Sequence, residues 1–313
     1  MNPPQRHRLH RRALHGVLLL DKPLGLSSND ALQKVKRIYR AEKAGHTGTL
    51  DPLATGLLPI CFGAATKFSQ ASLDADKAYT AVLRLGQRTV GGDREGEVIA
   101  ERPVAVTPES LAQACAAFVG QIDQIPPMQS ALKKDGKALY EYARAGIEVD
   151  RVPRRITIHG IDMLGWDDAA LELTIRVRCS KGTYIRTLAE DIGERLGCGA
   201  HLAALRRTET GALTLDGAIT LDALAALDEA GRDALLHPPD CLVGDWPLLR
   251  LAETEAARFL SGLRRRVDQP DRPAVRVYGP EPAAFLGSAH ITAGELIADR
   301  LLSPIEVQAL LNT

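Results

Sequence analysis

With 313 residues, the chain is long enough for one large domain and a smaller one. Its hydrophobic content of 45% and charged content of 25% are ordinary for a globular protein. It has no run of about 18 apolar residues, so we expect no membrane span. The five cysteines are widely spaced without a CxxC pair, which argues against disulfides and structural zinc and suits a cytoplasmic protein.

The formal net charge is zero, but the charges are unevenly distributed. Residues 1–67 carry eleven Lys or Arg against four Asp or Glu, and residues 212–245 carry one Arg against seven acids. A neutral protein with this asymmetry can offer a positive face to phosphates. A solvated charged face without a partner is equally compatible with the charge pattern.

The N-terminal third begins with a basic arm, which we predict to be flexible over residues 1–15. A short buried strand follows over Val17–Leu20 and ends at the turn "DKPLG". Ser27 and Asp30 then match a capping box that opens a basic helix through about Arg40. The stretch "GHTGTLDPLATGLLPI" (45–60) is predicted to be an irregular loop.

The middle of the chain mixes strands and helices without a regular βαβ alternation, which favours an α+β fold. Residues 121–153 are basic with few periodic apolar positions, and we interpret them as an extended insertion that faces RNA or substrate. The remaining predicted elements are strands over 79–85 and 171–179, a helix capped by Thr107 and closed by Gly120, a helix from Ile185 stopped by Gly197, and a helix over 220–231.

The proline-rich seam "HPPDCLVGDWP" (237–247) is the predicted domain boundary. We therefore expect a larger domain over residues 16–240 and a small β-rich domain over residues 248–313. The short apolar runs of that last segment are broken by Gly and Pro, as is typical of a small barrel.

Asp51 is the only carboxylate between Lys43 and Asp74, and it stands among glycines, leucines and prolines. Gly48 and Gly56 would allow a ligand to approach the backbone closely, and Pro52 disfavours the α conformation at Asp51. A carboxylate held in this way could be catalytic. A capping aspartate in a turn is the commoner role for a single loop acid.

Other polar candidates follow apolar segments. Tyr184 and Arg186 lie where a strand passes into a helix, and arginine is suited to hold a carboxylate. Taken alone, Arg186 fits a surface ion pair, Tyr79 a half-buried strand aromatic and His46 a turn histidine. The sequence has no Walker A loop, no GxGxxG after a strand, no HExxH and no GxSxG.

Taken together, five segments closely resemble the TruB family of bacterial tRNA pseudouridine synthases. They occur in the family's order and cover most of residues 16–207, and the tail from about 248 more weakly resembles the small PUA-type RNA-binding domain. The segments are "LLLDKPLGLSSNDALQKVKRI", "AGHTGTLDPLATGLLPICFGAATKFSQ", "DKAYTAVLRLGQRT", "QIPPMQSALKKDGKALYEYARAGIEV" and "CSKGTYIRTLAEDIGERLGCGAHLAALRR".

The resemblance implies a mixed, largely antiparallel sheet and isomerisation of uridine 55 in the tRNA T-loop, by base flipping. It implies no metal and no cofactor, and we expect a monomer. On the family's motifs, Asp51 falls on the essential aspartate, Arg186 on the arginine that pairs with it, and Asp93 on an acid that engages this arginine. The resemblance also assigns base stacking to Tyr79, removal of the C5 proton to Tyr184, support of the vacated loop to His46, buttressing of the site to Lys22 and Pro23, and lining of the pocket to Leu205.

Phosphate contacts are expected from the arm, the basic helix over 28–40, and Lys133, Lys134, Lys137, Arg206 and Arg207. One departure from the family is "TVGGD" (89–93), where members often carry TDTSD; we expect the two glycines to loosen this loop. Two alternatives stay open. One is a non-catalytic tRNA-binding or tRNA-folding protein on the same scaffold, and the other is a guide-RNA-dependent pseudouridylase of the dyskerin type.

Overall fold

A computed structural model describes residues 10–281 and 284–311 of the chain. The chain divides into two compact units. The first, here called the terminal unit, holds the described residues up to Pro52, Gly56–Leu73 and those from Gly211 onward. The second, called the central unit, comprises Leu53–Thr55 and Asp74–Thr210.

Within the described residues the chain forms nineteen strands and nine α-helices. The strands are β1 (Gly16–Lys22), β2 (Ala44–His46), β3 (Ala54–Phe62), β4 (Lys77–Leu85), β5 (Gln87–Thr89), β6 (Val98–Glu101), β7 (Gly120–Gln124), β8 (Lys133–Lys134), β9 (Lys137–Ala138), β10 (Arg154–Asp167), β11 (Glu172–Cys179), β12 (Ala200–Thr210), β13 (Leu213–Thr214), β14 (Ile219–Thr220), β15 (Leu248–Arg250), β16 (Arg265–Arg266), β17 (Arg272–Tyr278), β18 (Phe285–Thr292) and β19 (Glu295–Leu301). The helices are α1 (Ser28–Ile38), α2 (Ser69–Asp74), α3 (Pro108–Ala116), α4 (Leu139–Arg144), α5 (Ile185–Arg195), α6 (Leu221–Ala226), α7 (Glu229–Asp233), α8 (Glu253–Leu260) and α9 (Pro304–Leu311).

In the terminal unit, strand β1 is paired on both of its edges. It pairs in parallel with β14 and antiparallel with β3, and β2 adds to β3 antiparallel. Five of the seven β1 residues, Gly16–Leu20, form a continuous buried run. Such a run is typical of a strand covered on both faces.

The C-terminal part of the terminal unit is a second sheet with the order β15-β17-β18-β19-β16. Only the β15–β17 pair is parallel. This confirms the predicted β-rich character of the segment. Tyr278, Phe285 and Leu302 join a buried cluster that also contains Val17 and Leu19 of β1. The domain limits at 240 and 248 stay predictions.

The central unit is built on an antiparallel sheet with the order β12-β4-β11-β10-β7. Helix α5 packs on β12, and helix α3 packs on β10. Strand β11 alternates between buried and more exposed residues, as the sequence predicts for a strand with one covered face. Together with the parallel β1–β14 pair, these strands confirm the predicted α+β fold with a mixed, largely antiparallel sheet.

Three predicted elements differ from the structure. The loop over 45–60 is shorter than expected, because β2 and β3 occupy both of its ends. The helix over 220–231 is two helices, since Leu227 is extended and Asp228 caps α7 through the Gly231 N–H. The insertion over 121–153 contains most of β7, the β8–β9 hairpin and α4 rather than only extended chain.

The described part of the N-terminal arm, residues 10–15, makes ion pairs and hydrogen bonds within the terminal unit, and its predicted flexibility stays a prediction. Arg12 forms ion pairs with Asp233 and Glu229 of α7, and its N–H donates to the Arg40 carbonyl at 2.8 Å. His15 Nδ1 accepts a 3.0 Å hydrogen bond from the Ala64 N–H. The first nine residues of the predicted arm lie outside the described residues.

No helix in residues 10–281 and 284–311 has the length and apolar content needed to cross a membrane. The five cysteines are all free thiols, and four of them are buried. Burial raises the pKa of the Cys61 thiol to about 12 and that of the Cys179 thiol to about 11. These thiols are therefore protonated and weakly nucleophilic at neutral pH.

A core substitution tests the packing of the C-terminal sheet. Phe259 of α8 is fully buried against a cluster that includes Val275 and Ala289. We expect Phe259→Ala to lower the free energy of unfolding by about 3–5 kcal/mol in urea titrations, because it leaves a cavity. Leu263→Ala, at a residue that is 58% exposed, should change it by about 0.5 kcal/mol or less. Equal losses in the two variants would contradict this packing.

Candidate active site

The predicted site residues fall in both units. The terminal unit holds Lys22, Pro23, His46 and Asp51, and the central unit holds Tyr79, Asp93, Lys133, Tyr184, Arg186, Leu205 and Arg206. Each group has its own network of hydrogen bonds, so the two are described in turn.

Asp51 is half-buried on the loop between β2 and β3, and hydrogen bonds hold this loop on both sides of it. Before Asp51, the Thr47 N–H donates to the Pro59 carbonyl at 3.1 Å. Next to Asp51, Ser28 Oγ accepts a 2.7 Å bond from the Leu50 N–H and donates to the Leu50 carbonyl at 3.1 Å. The Gly25 N–H donates to the Pro52 carbonyl at 2.8 Å. The residues before and after Asp51 are thus both tied to the segment that opens α1.

Lys22 closes the turn that precedes α1. Its side chain is fully buried, and Nζ donates to the carbonyls of Pro23 at 2.9 Å and Leu26 at 2.6 Å. Charge-assisted bonds of this kind are stronger than neutral ones and hold the turn in shape. Pro23 itself is exposed. Its predicted role and that of Lys22 in supporting a substrate site stay predictions.

His46 is half-buried at the end of β2, where it lies opposite Ile60 of β3. It is the last strand residue before the Asp51 loop. This position lies close along the chain to Asp51, and the supporting role implied by the resemblance stays a prediction.

In the central unit, Arg186 is the second residue of α5 and its side chain is 6% exposed. Nη1 donates to the Gly91 carbonyl at 3.2 Å, and Nη2 donates to the Gln129 carbonyl at 2.7 Å. Nη1 also lies 3.7 Å from Asp93 Oδ2, whose side chain is 7% exposed. The structure therefore brings Arg186 and Asp93 together, and the guanidinium joins the loop after β5 to the insertion.

The loop over residues 89–96 is well anchored, contrary to the expected loosening by its glycines. The Val90 N–H donates to the Glu97 carbonyl, and the Leu202 N–H donates to the Gly92 carbonyl, both at 2.9 Å. Gly91 has a φ of +87°, and a Cβ placed on it would lie 2.6 Å from the Gln129 side chain. Glycine at position 91 thus permits this backbone conformation and the close approach of the insertion.

Tyr184 precedes α5, and a glutamine from β7 holds its backbone. Gln124 is 2% exposed; its Oε1 accepts from the Tyr184 N–H at 2.8 Å, and its Nε2 donates to the Tyr184 carbonyl at 3.0 Å. The sequence alone did not point to Gln124, because a glutamine at the end of a polar strand carries no pattern that indicates a distant partner.

Tyr79 lies on β4 directly opposite Val177 of β11 and Arg207 of β12. Arg207 is 1% exposed, so the prediction that it contacts a phosphate is wrong. Burial lowers the pKa of the Arg207 guanidinium, and a hydrogen bond to the Tyr79 side chain acts in the opposite direction. Arg207 is instead a buried partner of Tyr79.

Leu205 and Arg206 precede Arg207 on β12, and both are half-buried. Leu205 pairs with Ala81, so it shares the sheet face of Tyr79. Arg206 points to the opposite face, and its Nη1 donates to Thr55 Oγ1 at 3.5 Å.

Lysines and tyrosines cluster in the insertion. Lys133 is exposed on β8, and Lys134 Nζ donates to the Asp150 carbonyl at 2.9 Å. Lys137 Nζ lies 4.7 Å from the centre of the Tyr142 ring. This distance places the Lys137 ammonium in a cation–π contact with the Tyr142 ring.

A second buried cation, Lys77, lies on the same face of β4 as Tyr79. It is 7% exposed, and its Nζ donates to the Ala75 carbonyl at 2.6 Å. Burial, and after it the positive charge of Arg207, lowers the pKa of Lys77 to about 8. At neutral pH this face therefore carries two buried positive charges.

This pKa predicts a pH dependence of stability. The folded-state pKa of Lys77 lies below its unfolded value, so the ammonium destabilises the fold below about pH 8 and this cost disappears as the pH approaches 10.5. We expect Lys77→Met to raise the free energy of unfolding by about 2–3 kcal/mol at pH 7. The gain over wild type should shrink between pH 8 and pH 10 in denaturant titrations at each pH. A gain that is independent of pH would contradict the assigned titration.

Comparison with known proteins identifies the family. The model of the TruB family pseudouridylate synthase N-terminal domain matches residues 36–185, and that of the tRNA pseudouridylate synthase B C-terminal domain matches residues 186–243. The tRNA pseudouridine synthase B of Ralstonia nicotianae is 60% identical over 307 residues, which cover 96% of this chain and 98% of the relative. That of Verminephrobacter eiseniae is 55% identical over 316 residues, covering 99% and 96% of the two chains.

Solved structures agree on the fold. A Cbf5–Nop10–Gar1 complex matches with a TM-score of 0.72 and 25% identity, over 94% of this chain and 87% of the other. An archaeal box H/ACA sRNP Nop10–Cbf5 complex matches with a TM-score of 0.71 and 23% identity, over 94% and 88%. With family models over residues 36–243 and near full-length identity of 55–60% to curated relatives, the chain belongs to the TruB family of tRNA pseudouridine synthases, an isomerase family.

Proposed function

We propose that this enzyme converts uridine 55 in the T-loop of tRNA to pseudouridine. The observation that carries the proposal is Asp51, which is held between two hydrogen-bonded neighbours in a chain of TruB sequence. A carboxylate on a fixed loop provides the reactive group that this isomerisation requires. The exposed Lys133 and the half-buried Lys134 and Lys137 of the insertion supply phosphate-binding charge, which suits a tRNA arm.

The proposed reaction rearranges bonds within one nucleotide. The base flips out of the T-loop, its N1–C1′ bond breaks, the base rotates, and C5 bonds to C1′. C5 loses a proton and N1 gains one, so the product is an isomer of the substrate. The Asp51 carboxylate either attacks C1′ or removes the 2′ proton to give a glycal. Flipping costs a few kcal/mol of stacking and pairing, which contacts with the protein must offset.

In this proposal the remaining residues serve the flipped nucleotide. Tyr79 stacks on the base, Tyr184 helps to remove the C5 proton, and Leu205 lines the pocket. His46 supports the loop that the base has left. The pairing of Asp51 with Arg186 stays a prediction. Phosphate contacts are assigned to exposed cations, namely Lys34 and Arg37 of α1 and Lys133 of the insertion.

The two alternatives are weighed by the same observations. Identity of 55–60% over nearly the whole chain to proteins named tRNA pseudouridine synthase B favours an enzyme that acts on tRNA directly over a guide-RNA-dependent one. Retention of Asp51, Tyr79, Tyr184 and Arg186 argues against a non-catalytic protein, because tRNA binding alone does not require this set.

The direct test uses purified protein and an unmodified T-arm stem-loop, without guide RNA or further proteins. We expect pseudouridine at one T-loop uridine with the wild type, and a rate about 10²–10⁴-fold lower with Asp51→Asn. The control Asp222→Asn removes an exposed carboxylate of α6 and should leave the rate unchanged. Equal rates for Asp51→Asn and wild type would refute the assignment of Asp51. Tight binding without product by the wild type would favour the non-catalytic alternative.

A second test concerns the buried partner of Tyr79. If Arg207 holds the Tyr79 ring through its hydroxyl, then Tyr79→Phe and Arg207→Met should each slow single-turnover pseudouridine formation about 10-fold. The double variant should be no slower than the slower single variant, because both remove the same hydrogen bond. Arg176→Met, at an exposed arginine on the other face of β11, is the control. Additive losses would show that Arg207 does not act through Tyr79.

A further inference from the structure

Two neighbouring serines at the start of α1 make different contacts. Ser27 is the N-cap residue; its Oγ accepts from the Asp30 N–H at 3.1 Å and donates to Asp30 Oδ2 at 2.6 Å. Ser28 is the first helical residue and is 1% exposed. Its hydroxyl turns away from the helix terminus and binds both backbone polar groups of Leu50. Ser27 therefore caps helix α1, whereas Ser28 forms hydrogen bonds with the loop that carries Asp51.

The Ser28 hydroxyl forms hydrogen bonds with two backbone groups of Leu50 that are buried away from water. Leu50 is 4% exposed, so its N–H and carbonyl need partners within the protein. One hydroxyl supplies both, as an acceptor for the N–H and as a donor to the carbonyl. Loss of the hydroxyl would leave a buried donor and a buried acceptor without these bonds, and the loop would have to move to recover them.

The same segment also binds the residue after Asp51. The Gly25 N–H donates to the Pro52 carbonyl, and the two bonds of Lys22 hold the turn that contains Gly25. Helix α1 is fixed by its buried residues Ala31, Leu32 and Val35. A chain of contacts therefore runs from the core of α1 through Ser28 to Leu50, the residue next to Asp51.

We propose that Ser28 is a positioning residue for the catalytic carboxylate and sets the path of the Asp51 loop through its two bonds to Leu50. This inference rests on the proposed function of Asp51. Reactive groups in enzymes tolerate little displacement, and an error of about 1 Å can cost about 10²-fold in rate. Release of Leu50 would therefore impair the chemical step more than tRNA binding, since Lys34 and Arg37 lie more than one turn further along α1, and buried residues of that helix fix it independently of the Ser28 hydroxyl.

The two serines provide a matched pair of variants. We expect Ser28→Ala to slow single-turnover pseudouridine formation on a T-arm stem-loop by about 30–100-fold at saturating enzyme, with its Kd for the stem-loop within about 2-fold of wild type. Ser27→Ala removes a helix cap and should lower the Tm, but its rate should stay within about 2-fold of wild type. If Ser28 acted only by stabilising the fold, the loss of rate in each variant would instead be proportional to its loss of Tm, and this result would contradict the positioning role.

A second measurement reports on the loop without catalysis. The Leu50 amide should exchange with deuterium at least about 10-fold faster in Ser28→Ala than in wild type, and at the wild-type rate in Ser27→Ala. If Ser28→Ala fails to fold, Ser28→Cys keeps the size of the side chain with a much weaker donor and acceptor, and the same losses are expected.

The outcomes separate this inference from the proposed function. Product formed at similar rates by wild type and Ser28→Ala, with Asp51→Asn inactive, would overturn the role of Ser28 and leave the function standing. If the wild type forms no product, both the proposed function and the proposed role of Ser28 are refuted. Unchanged exchange of the Leu50 amide in Ser28→Ala would also overturn the inference, whatever the rates.

Discussion

Backbone groups that are removed from water need hydrogen-bond partners, and the segments that carry the candidate residues meet this need with side chains from distant parts of the sequence. Ser28 binds both polar groups of Leu50, and Gln124 binds both polar groups of Tyr184. Arg186 binds two loop carbonyls. In each case one buried side chain makes hydrogen bonds to backbone groups that no neighbouring strand binds. These bonds fix the path of an irregular segment.

Buried positive charge is the second feature of the central unit. Arg207 and Lys77 lie on the covered face of β4 and β12, where burial disfavours both charged forms. Apolar residues at these positions would be cheaper for folding. Arg207 provides a donor for the Tyr79 hydroxyl, which a hydrophobic residue could not do. The buried charge of Arg207 is therefore understandable as the cost of holding the Tyr79 hydroxyl.

The described part of the N-terminal arm shows how the uneven charge of the sequence is used. Arg12 and Arg40 form ion pairs with Glu229 of α7, and Arg12 also pairs with Asp233. Part of the basic N-terminal third is thus neutralised by the acidic stretch over 212–245 within the terminal unit. Other cations of this third, such as Lys34 and Arg37 of α1, stay exposed.

The sequence by itself determined the family, the α+β class and most regular elements, because motif order, alternation in β11 and the cap at Ser27 are local patterns. It could not reveal that Ser28 binds Leu50, that Gln124 holds Tyr184, or that Arg207 is buried beside Tyr79. These partners are separated by 22, 60 and 128 positions. Only the tertiary structure decided these pairings. The sequence shows that a polar side chain needs a hydrogen-bond partner if it is buried, but strand register and helix packing determine which partner lies within reach.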